Sequence, residues 1–139
     1  MRVLVVDDDA TFCQFLAEML EAKGLQVEQT TDGWEAYQQV CRQRYDLYIS
    51  DVRMPFMSGI ELAGKIKQTD PHAKIILISA FVDLSVELRQ HPDVHILSKP
   101  FSADCLWQTV SQLLDVGVPG WRDSFPFLLN PVLLLYHLQ

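Results

Sequence analysis

Basic residues are scarce in this chain. It holds 11 Lys and Arg against 18 Asp and Glu, giving a formal charge of −7 and a pI near 4.9. A nucleic-acid surface needs clustered cations to displace counterions from phosphates, and the few present are scattered, so no nucleic-acid partner is expected. Cysteine is equally sparse. Cys13, Cys41 and Cys105 are odd in number and far apart, which suggests neither a disulfide framework nor a paired-cysteine metal clip. Reduced thiols in a cytoplasmic setting follow. The histidines His72, His91, His95 and His137 lack mutual metal-ligand spacing, and Trp34, Trp107 and Trp121 form no binding-box pattern, so surface or core positions are expected for all of them. Met1-Arg2 runs straight into an apolar strand that three aspartates cut off, which is not the form of a signal peptide. Internal repeats and low-complexity tracts are missing as well. What remains is 139 residues, 49% hydrophobic and 21% charged, the profile of one globular domain with a packed core.

Short aliphatic runs alternate with helical patterns. Val3-Leu4-Val5-Val6 is apolar at every position, as a strand covered on both faces should be. Phe12, Phe15, Leu16, Met19 and Leu20 recur at helical spacing up to Gly24 and predict a first helix over roughly 10–23. A weak strand over 25–29 follows. Trp34, Tyr37, Val40 and Cys41 then suggest one face of a second helix, capped by Thr31 or Asp32. Strands are expected at 47–50, 74–78 and 95–97, a third helix through Ile60, Leu62, Ala63 and Ile66, and a short helix near 84–90. A last helix through Leu106, Val110, Leu113 and Leu114 starts at a Ser102 cap. This alternation predicts an α/β fold, a doubly wound five-stranded parallel sheet of order 2-1-3-4-5 with helices on both faces. A boundary is expected near residue 115, where Gly117, Pro119, Gly120, Pro126 and Pro131 begin to interrupt the pattern.

In such sheets, ligands sit outside the carboxyl ends of the strands. Asp7, Asp8 and Asp9 follow the first strand, Asp51 the third, Ser79 ends the fourth and Lys99 follows the fifth. Each residue alone has an ordinary explanation, and Asp9 is expected to be a helix N-cap. Convergence of acids, a hydroxyl and an ammonium on one rim does not. Clustered carboxylates repel unless a cation lies among them, and a hard divalent ion such as Mg²⁺, which takes oxygen ligands, answers that need. Asp8 and Asp51 could bind it directly and Asp7 through water. A carboxylate can also attack phosphorus and form an aspartyl phosphate.

The runs Val5-Val6-Asp7-Asp8-Asp9, Ser50-Asp51-Val52-Arg53-Met54-Pro55-Phe56-Met57-Ser58-Gly59, Ile78-Ser79-Ala80 and Lys99-Pro100-Phe101 resemble the receiver domain of two-component response regulators. The resemblance covers residues 1 to about 115. It implies a regulatory phosphorylation switch rather than an enzyme, fed by a histidine kinase or histidine phosphotransfer protein in a Mg²⁺-dependent reaction. On the matching positions, Asp51 is the phosphoacceptor, Asp7 and Asp8 the acidic pair, and Arg53 the source of a backbone carbonyl to the metal. Ser79 is the switch hydroxyl, Lys99 the phosphate partner, and Lys99-Pro100 a cis bond; Ala80 keeps the approach to Asp51 open. Ile96 stands where the family often has an aromatic residue, so an aromatic-rotamer readout is not expected. The segment 81–94, with His91-Pro92, lacks the small-residue character of the family's signalling face.

Two other classes share parts of this pattern. A small Mg²⁺-dependent phosphohydrolase shares aspartyl-phosphate chemistry and a nucleophile-first Asp-x-Asp pattern, which Asp7-x-Asp9 meets formally, but this length leaves little room for its cap and the Met54-Pro55 loop belongs to the receiver pattern. A flavodoxin-like cofactor module would prefer a carboxylate-free phosphate loop. The tail, residues 116–139, is apolar and too short for a DNA-binding output domain, so the chain reads as a stand-alone receiver, a shuttle or an excerpt. Asn130-Pro131 suggests a short tail helix over 132–138, far below the roughly 20 residues that span a bilayer, and the expected use is packing or a homodimer contact rather than a membrane.

Overall fold

Strand-forming runs without a polar face have only one stable place, the middle of a layered sheet. The computed structural model describes residues 1–80 and 94–115, in two units, Met1–Phe101 and Ser102–Gln139. The first unit contains β1 (Arg2–Val6), α1 (Ala10–Glu21), β2 (Gln26–Thr30), α2 (Gly33–Arg42), β3 (Leu47–Asp51), α3 (Gly59–Thr69), β4 (Ile75–Ser79) and β5 (Val94–Ser98). The strands are all parallel and lie in the order β2-β1-β3-β4-β5, as expected from the sequence. The chain leaves β1 for one edge and then returns past it to β3. The carboxyl ends of β1 and β3 therefore flank the point where strand order reverses.

Alternation along the strands divides the core in two. On one face Leu4, Val6, Tyr48, Ile75 and Leu77 pack with Ala36 and Val40 of α2 and with Leu62, Ala63 and Ile66 of α3. Val3, Val5, Leu47, Ile49, Ile76 and Ile78, equally buried, alternate with these and point to the other face. There α1 buries Cys13, Leu16, Ala17 and Leu20, with Cys13 Sγ 3.7 Å from the Val5 carbonyl. Each large aliphatic side chain so buried contributes about 1.5–3 kcal/mol.

Helix starts are fixed by short polar side chains. Asp9 Oδ1 accepts from the Thr11 and Phe12 amides at 3.0 and 3.2 Å, which is the cap expected of it. Asp32, rather than Thr31, caps α2 through the Trp34 amide at 2.8 Å, and Ser58 caps α3 through the Glu61 amide at 3.1 Å. Each such cap is worth about 1 kcal/mol. In the second unit Ser102 caps α4 (Ala103–Leu114) through the Cys105 amide at 3.0 Å. That helix buries Leu106, Val110 and Leu114 and closes on Asp115 in the left-handed region, φ 55°.

Two helix faces differ from expectation. In α1 the buried stripe is Cys13, Leu16, Ala17 and Leu20, while Phe15 is 51% exposed. In α2 it is Gly33, Ala36 and Val40, while Trp34 and Cys41 are exposed. The close approach of α2 explains the second shift, since a Cβ on Gly33 would come within 3.0 Å of the Met57 Cβ. Small residues face the neighbour there and Trp34 is turned outward, while Tyr37 stays half-buried against the core. The helix expected near 84–90, the segment that lacks the family's small-residue character up to residue 93, and the tail over 116–139 lie outside the described residues. Among the described residues, no helix is long and apolar enough to cross a membrane.

Candidate functional site

The polar rim assembles at the carboxyl ends of β1, β3, β4 and β5. Asp7 leaves β1 held by its own backbone, whose amide donates to the Thr30 carbonyl at 3.2 Å. Its Oδ1 accepts from the Asp9 amide at 2.9 Å, so the turn into α1 orients the carboxylate. Asp51 is the last residue of β3, in register with Ile78 of β4. Carboxylate oxygens of Asp7, Asp8 and Asp51 all lie within 4.8 Å of one another. Asp7 is buried, Asp8 exposed and Asp51 between the two.

Lys99 reaches this group from the loop after β5. Its Nζ lies 3.9 Å from Asp7 Oδ2 and 3.8 Å from Asp51 Oδ1, too far for a hydrogen bond to either. The same ammonium sits 4.3 Å from the centre of the Phe12 ring. Its backbone amide donates to the Ser79 carbonyl at 2.8 Å, tying the lysine loop to the end of β4, and Lys99-Pro100 is cis, as expected. Ser79 is buried in register with Ser98, and Ala80 beyond it is exposed.

The loop from Asp51 to Gly59 is clamped at both ends. Val52 donates to the Ile78 carbonyl at 3.0 Å, Gly59 donates to the Val52 carbonyl at 2.8 Å, and Met57 is buried as an anchor. A Cβ at Gly59 would fall 2.1 Å from the Asp51 carbonyl oxygen, so only glycine lets α3 start this close to the acidic residue. Arg53 lies in this loop and lines an open groove with Met54, Pro55, Ser58, Ile60 and Glu61.

The electrostatics are unfavourable as they stand. Burial pushes the Asp7 carboxyl up to about 6, against the pull of the Asp9 amide, with Asp51 and Asp8 adding to the rise and Lys99 opposing it. Asp51 is also raised, mainly by burial, while Lys99 pulls it back. Asp7 Oδ2 is buried and accepts no hydrogen bond. An orphaned carboxylate oxygen facing two further carboxylates is a donor set for a hard cation with oxygen ligands, and Mg²⁺ fits it. The sequence brought out every one of these acids and the lysine. It missed the place of Phe12, which reads in the sequence as one more apolar residue of the first helix; its position four residues after Asp8, in the first turn, was the available signal.

Known proteins share this arrangement. A family model for the response regulator receiver domain matches residues 3–111. The response regulator receiver protein CpdR of Brucella abortus is 34% identical over 115 residues, which is 81% of this chain and 96% of that protein. The transcriptional regulatory protein ZraR of Klebsiella oxytoca is also 34% identical, but this chain spans only 26% of its length. Among solved structures, the response regulator TrrA of Thermotoga maritima in complex with Mg²⁺-BeF is 35% identical with a TM-score of 0.75, covering 81% of this chain and 97% of that one. The chemotaxis response regulator CheY4 of Vibrio cholerae follows at 29% identity and a TM-score of 0.73, with 81% and 97% covered. Its sheet order, its rim of acids and lysine, and these relatives together make this chain a member of the response regulator receiver domain family of two-component systems.

Proposed function

We propose that this receiver is a phosphorylation switch in which Asp51 accepts a phosphoryl group. The observation that carries this reading is the difference among the three acids. Asp7 is 2% exposed in its side chain and has one oxygen fixed by the Asp9 amide, and Asp8 lies exposed at the edge of the group. Asp51 is 14% exposed, so an incoming phosphorus can reach it, and it faces Lys99 at 3.8 Å. In the reaction an Asp51 oxygen attacks the phosphorus of a phosphohistidine. The new O–P bond forms as the P–N bond breaks, and the departing imidazole takes up a proton.

Asp7, Asp8, Asp51 and the Arg53 carbonyl would hold Mg²⁺. When bound, that ion neutralises the acidic group and the negative charge that develops on the equatorial phosphoryl oxygens. Lys99 supplies a second, protein-borne cation, 3.9 and 3.8 Å from the Asp7 and Asp51 carboxylates. Ser79, buried at the end of β4, is the hydroxyl that turns toward the phosphoryl oxygens and couples the modification to β4 and β5. The donor is a histidine kinase or a histidine phosphotransfer protein, and the switch works in the cytoplasm, in keeping with three unpaired cysteines.

Intact mass spectrometry after incubation with acetyl phosphate and Mg²⁺ tests the reading. One phosphoryl group is expected on the wild-type chain and none on Asp51→Asn. Equal labelling of the two proteins, or an unlabelled wild type, overturns it.

A further inference from the structure

Lys99 is held in a place that its ion pairs alone do not explain. A lysine ammonium sits on a flexible stem that costs rotamer entropy to hold still. At 3.8 and 3.9 Å, neither carboxylate grips it with a hydrogen bond. An ammonium with only those two attractions would close on one of them, to the roughly 2.7–2.9 Å of a charge-assisted hydrogen bond. Closed on Asp51 it would cap an oxygen of the nucleophile, and closed on Asp7 it would be drawn away from Asp51. The third attraction comes from the Phe12 ring, 4.3 Å from Nζ, whose negative face draws a cation without offering a lone pair.

The ring is itself well fixed. Its backbone amide donates to Asp9 Oδ1 in the cap of α1, its ring meets that of Phe101 in an edge-to-face pair at 6.1 Å and 68°, and the Phe15 ring lies 6.3 Å away. Phe101 follows Lys99 by two residues, so the lysine loop and the first turn of α1 are clamped at two points. Asp9, the acid left outside the carboxylate group, thus anchors the turn that carries the ring.

We propose that Phe12 is a positioning residue for the phosphoryl transfer, holding the Lys99 ammonium between Asp7 and Asp51 so that Asp51 stays uncapped. The inference rests on the reading of Asp51 as phosphoacceptor. It acts through the face of the ring and not through its bulk.

The full chain tests this with three variants. Phe12→Leu keeps the volume and loses the ring, and Mg²⁺-dependent labelling of Asp51 by acetyl phosphate should slow about fivefold, while Phe12→Tyr stays within about twofold of wild type. In a Lys99→Met background Phe12→Leu should cause no further loss, as expected of two residues acting as one unit. A separate readout needs no phosphorylation: in NMR spectra the Lys99 ε-methylene protons should carry an upfield ring-current shift in wild type and Phe12→Tyr, absent in Phe12→Leu. The proposal falls if Phe12→Leu labels as fast as wild type, if its slowing persists beside Lys99→Met, or if wild type lacks the shift. A wild type that shows the shift but never labels instead overturns the Asp51 reading alone.

Discussion

The two ends of the sheet treat polar groups in opposite ways. At the amino end of β1 and β3, the Arg2 amide donates to Asp46 Oδ2 at 2.7 Å and the Arg2 guanidinium to Gln43 Oε1. Gln43 Nε2 donates to both Glu28 oxygens at 2.9 and 3.0 Å and to the Tyr45 hydroxyl at 2.6 Å, and Tyr45 in turn donates to Glu28. Charge and hydrogen bonds close on themselves there. At the carboxyl end, three carboxylates share one small volume, a buried oxygen of Asp7 accepts nothing, and the nearest cation stands off at 3.8–3.9 Å. A fold that can satisfy one end and leaves the other unsatisfied is spending stability on a ligand site.

The largest expected effect comes from disturbing the geometry that brings the carboxyl end together. Gly59→Ala forces a Cβ within 2.1 Å of the Asp51 carbonyl, a backbone atom that cannot turn aside. A loss of about 3 kcal/mol or more is expected in chemical denaturation, with Asp51 labelling abolished along with it. Unchanged stability would mean that the β3–α3 junction is not the rigid clamp described above.

Asp7→Asn should act in the opposite direction. With divalent ions chelated, the variant removes a buried charge facing two others, and a gain of about 1–3 kcal/mol is expected at pH 7. Its sign with pH follows from the same carboxyl. Folding raises Asp7 from 3.8 to about 6, so the folded state binds the proton more tightly. The stability this contributes is present below pH 3.8 and is lost as pH rises through about 6. Wild type should therefore lose stability over that window relative to Asp7→Asn, and Mg²⁺ should restore it to wild type more than to the variant. A variant less stable than wild type in chelator would break the contrast between the two ends.

Tyr45→Phe probes the satisfied end. Tyr45 is buried, and removing its hydroxyl takes a donor from Glu28 and an acceptor from Gln43, at a cost of about 1–2 kcal/mol. Labelling of Asp51 should not change. Burial and the bond to Glu28 raise the Tyr45 hydroxyl to about 12, so this contribution should persist up to about pH 10 and fade above it. A labelling defect would show that the amino end is not merely structural.

The carboxyl end was readable in the sequence because its chemistry depends on residue type and on strand order. Asp7, Asp8, Asp51, Ser79 and Lys99 each follow an apolar run, and a parallel sheet delivers all such positions to one rim. The amino-end network was not readable. Arg2, Glu28, Gln43, Tyr45 and Asp46 are ordinary polar residues whose meeting depends on the register of β2 against β1 and on where α2 ends. Helix faces fell between these cases. Periodicity located α1 and α2, but the choice of Phe15 and Trp34 over Ala17, Gly33 and Ala36 as buried residues followed hydrophobicity. Packing distance, which favours small residues where α2 meets Met57, decided otherwise.

The smallest effect is expected at Phe56, where the carboxyl end carries a strain of a different kind. Its backbone is in the left-handed region at φ 69°, and its side chain is 94% exposed. That conformation costs a residue with a Cβ about 1–2 kcal/mol, while a glycine would lose about 0.5–1 kcal/mol more backbone entropy on folding. Phe56→Gly gives up almost no packing, so the balance is a gain of about 0.5–1 kcal/mol and a melting temperature a few degrees higher. Because Val52, Met57 and Gly59 hold the loop independently of residue 56, acetyl phosphate should label Asp51 at the wild-type rate. The two measurements divide the instability of this end into its parts. If stability rises and labelling is unchanged, the backbone strain at 56 is separate from the repulsion among Asp7, Asp8 and Asp51, and only the latter belongs to phosphoryl transfer. If labelling falls instead, the strained loop helps set the position of Asp51, and the unsatisfied end of the sheet extends from its carboxylates into the β3–α3 backbone.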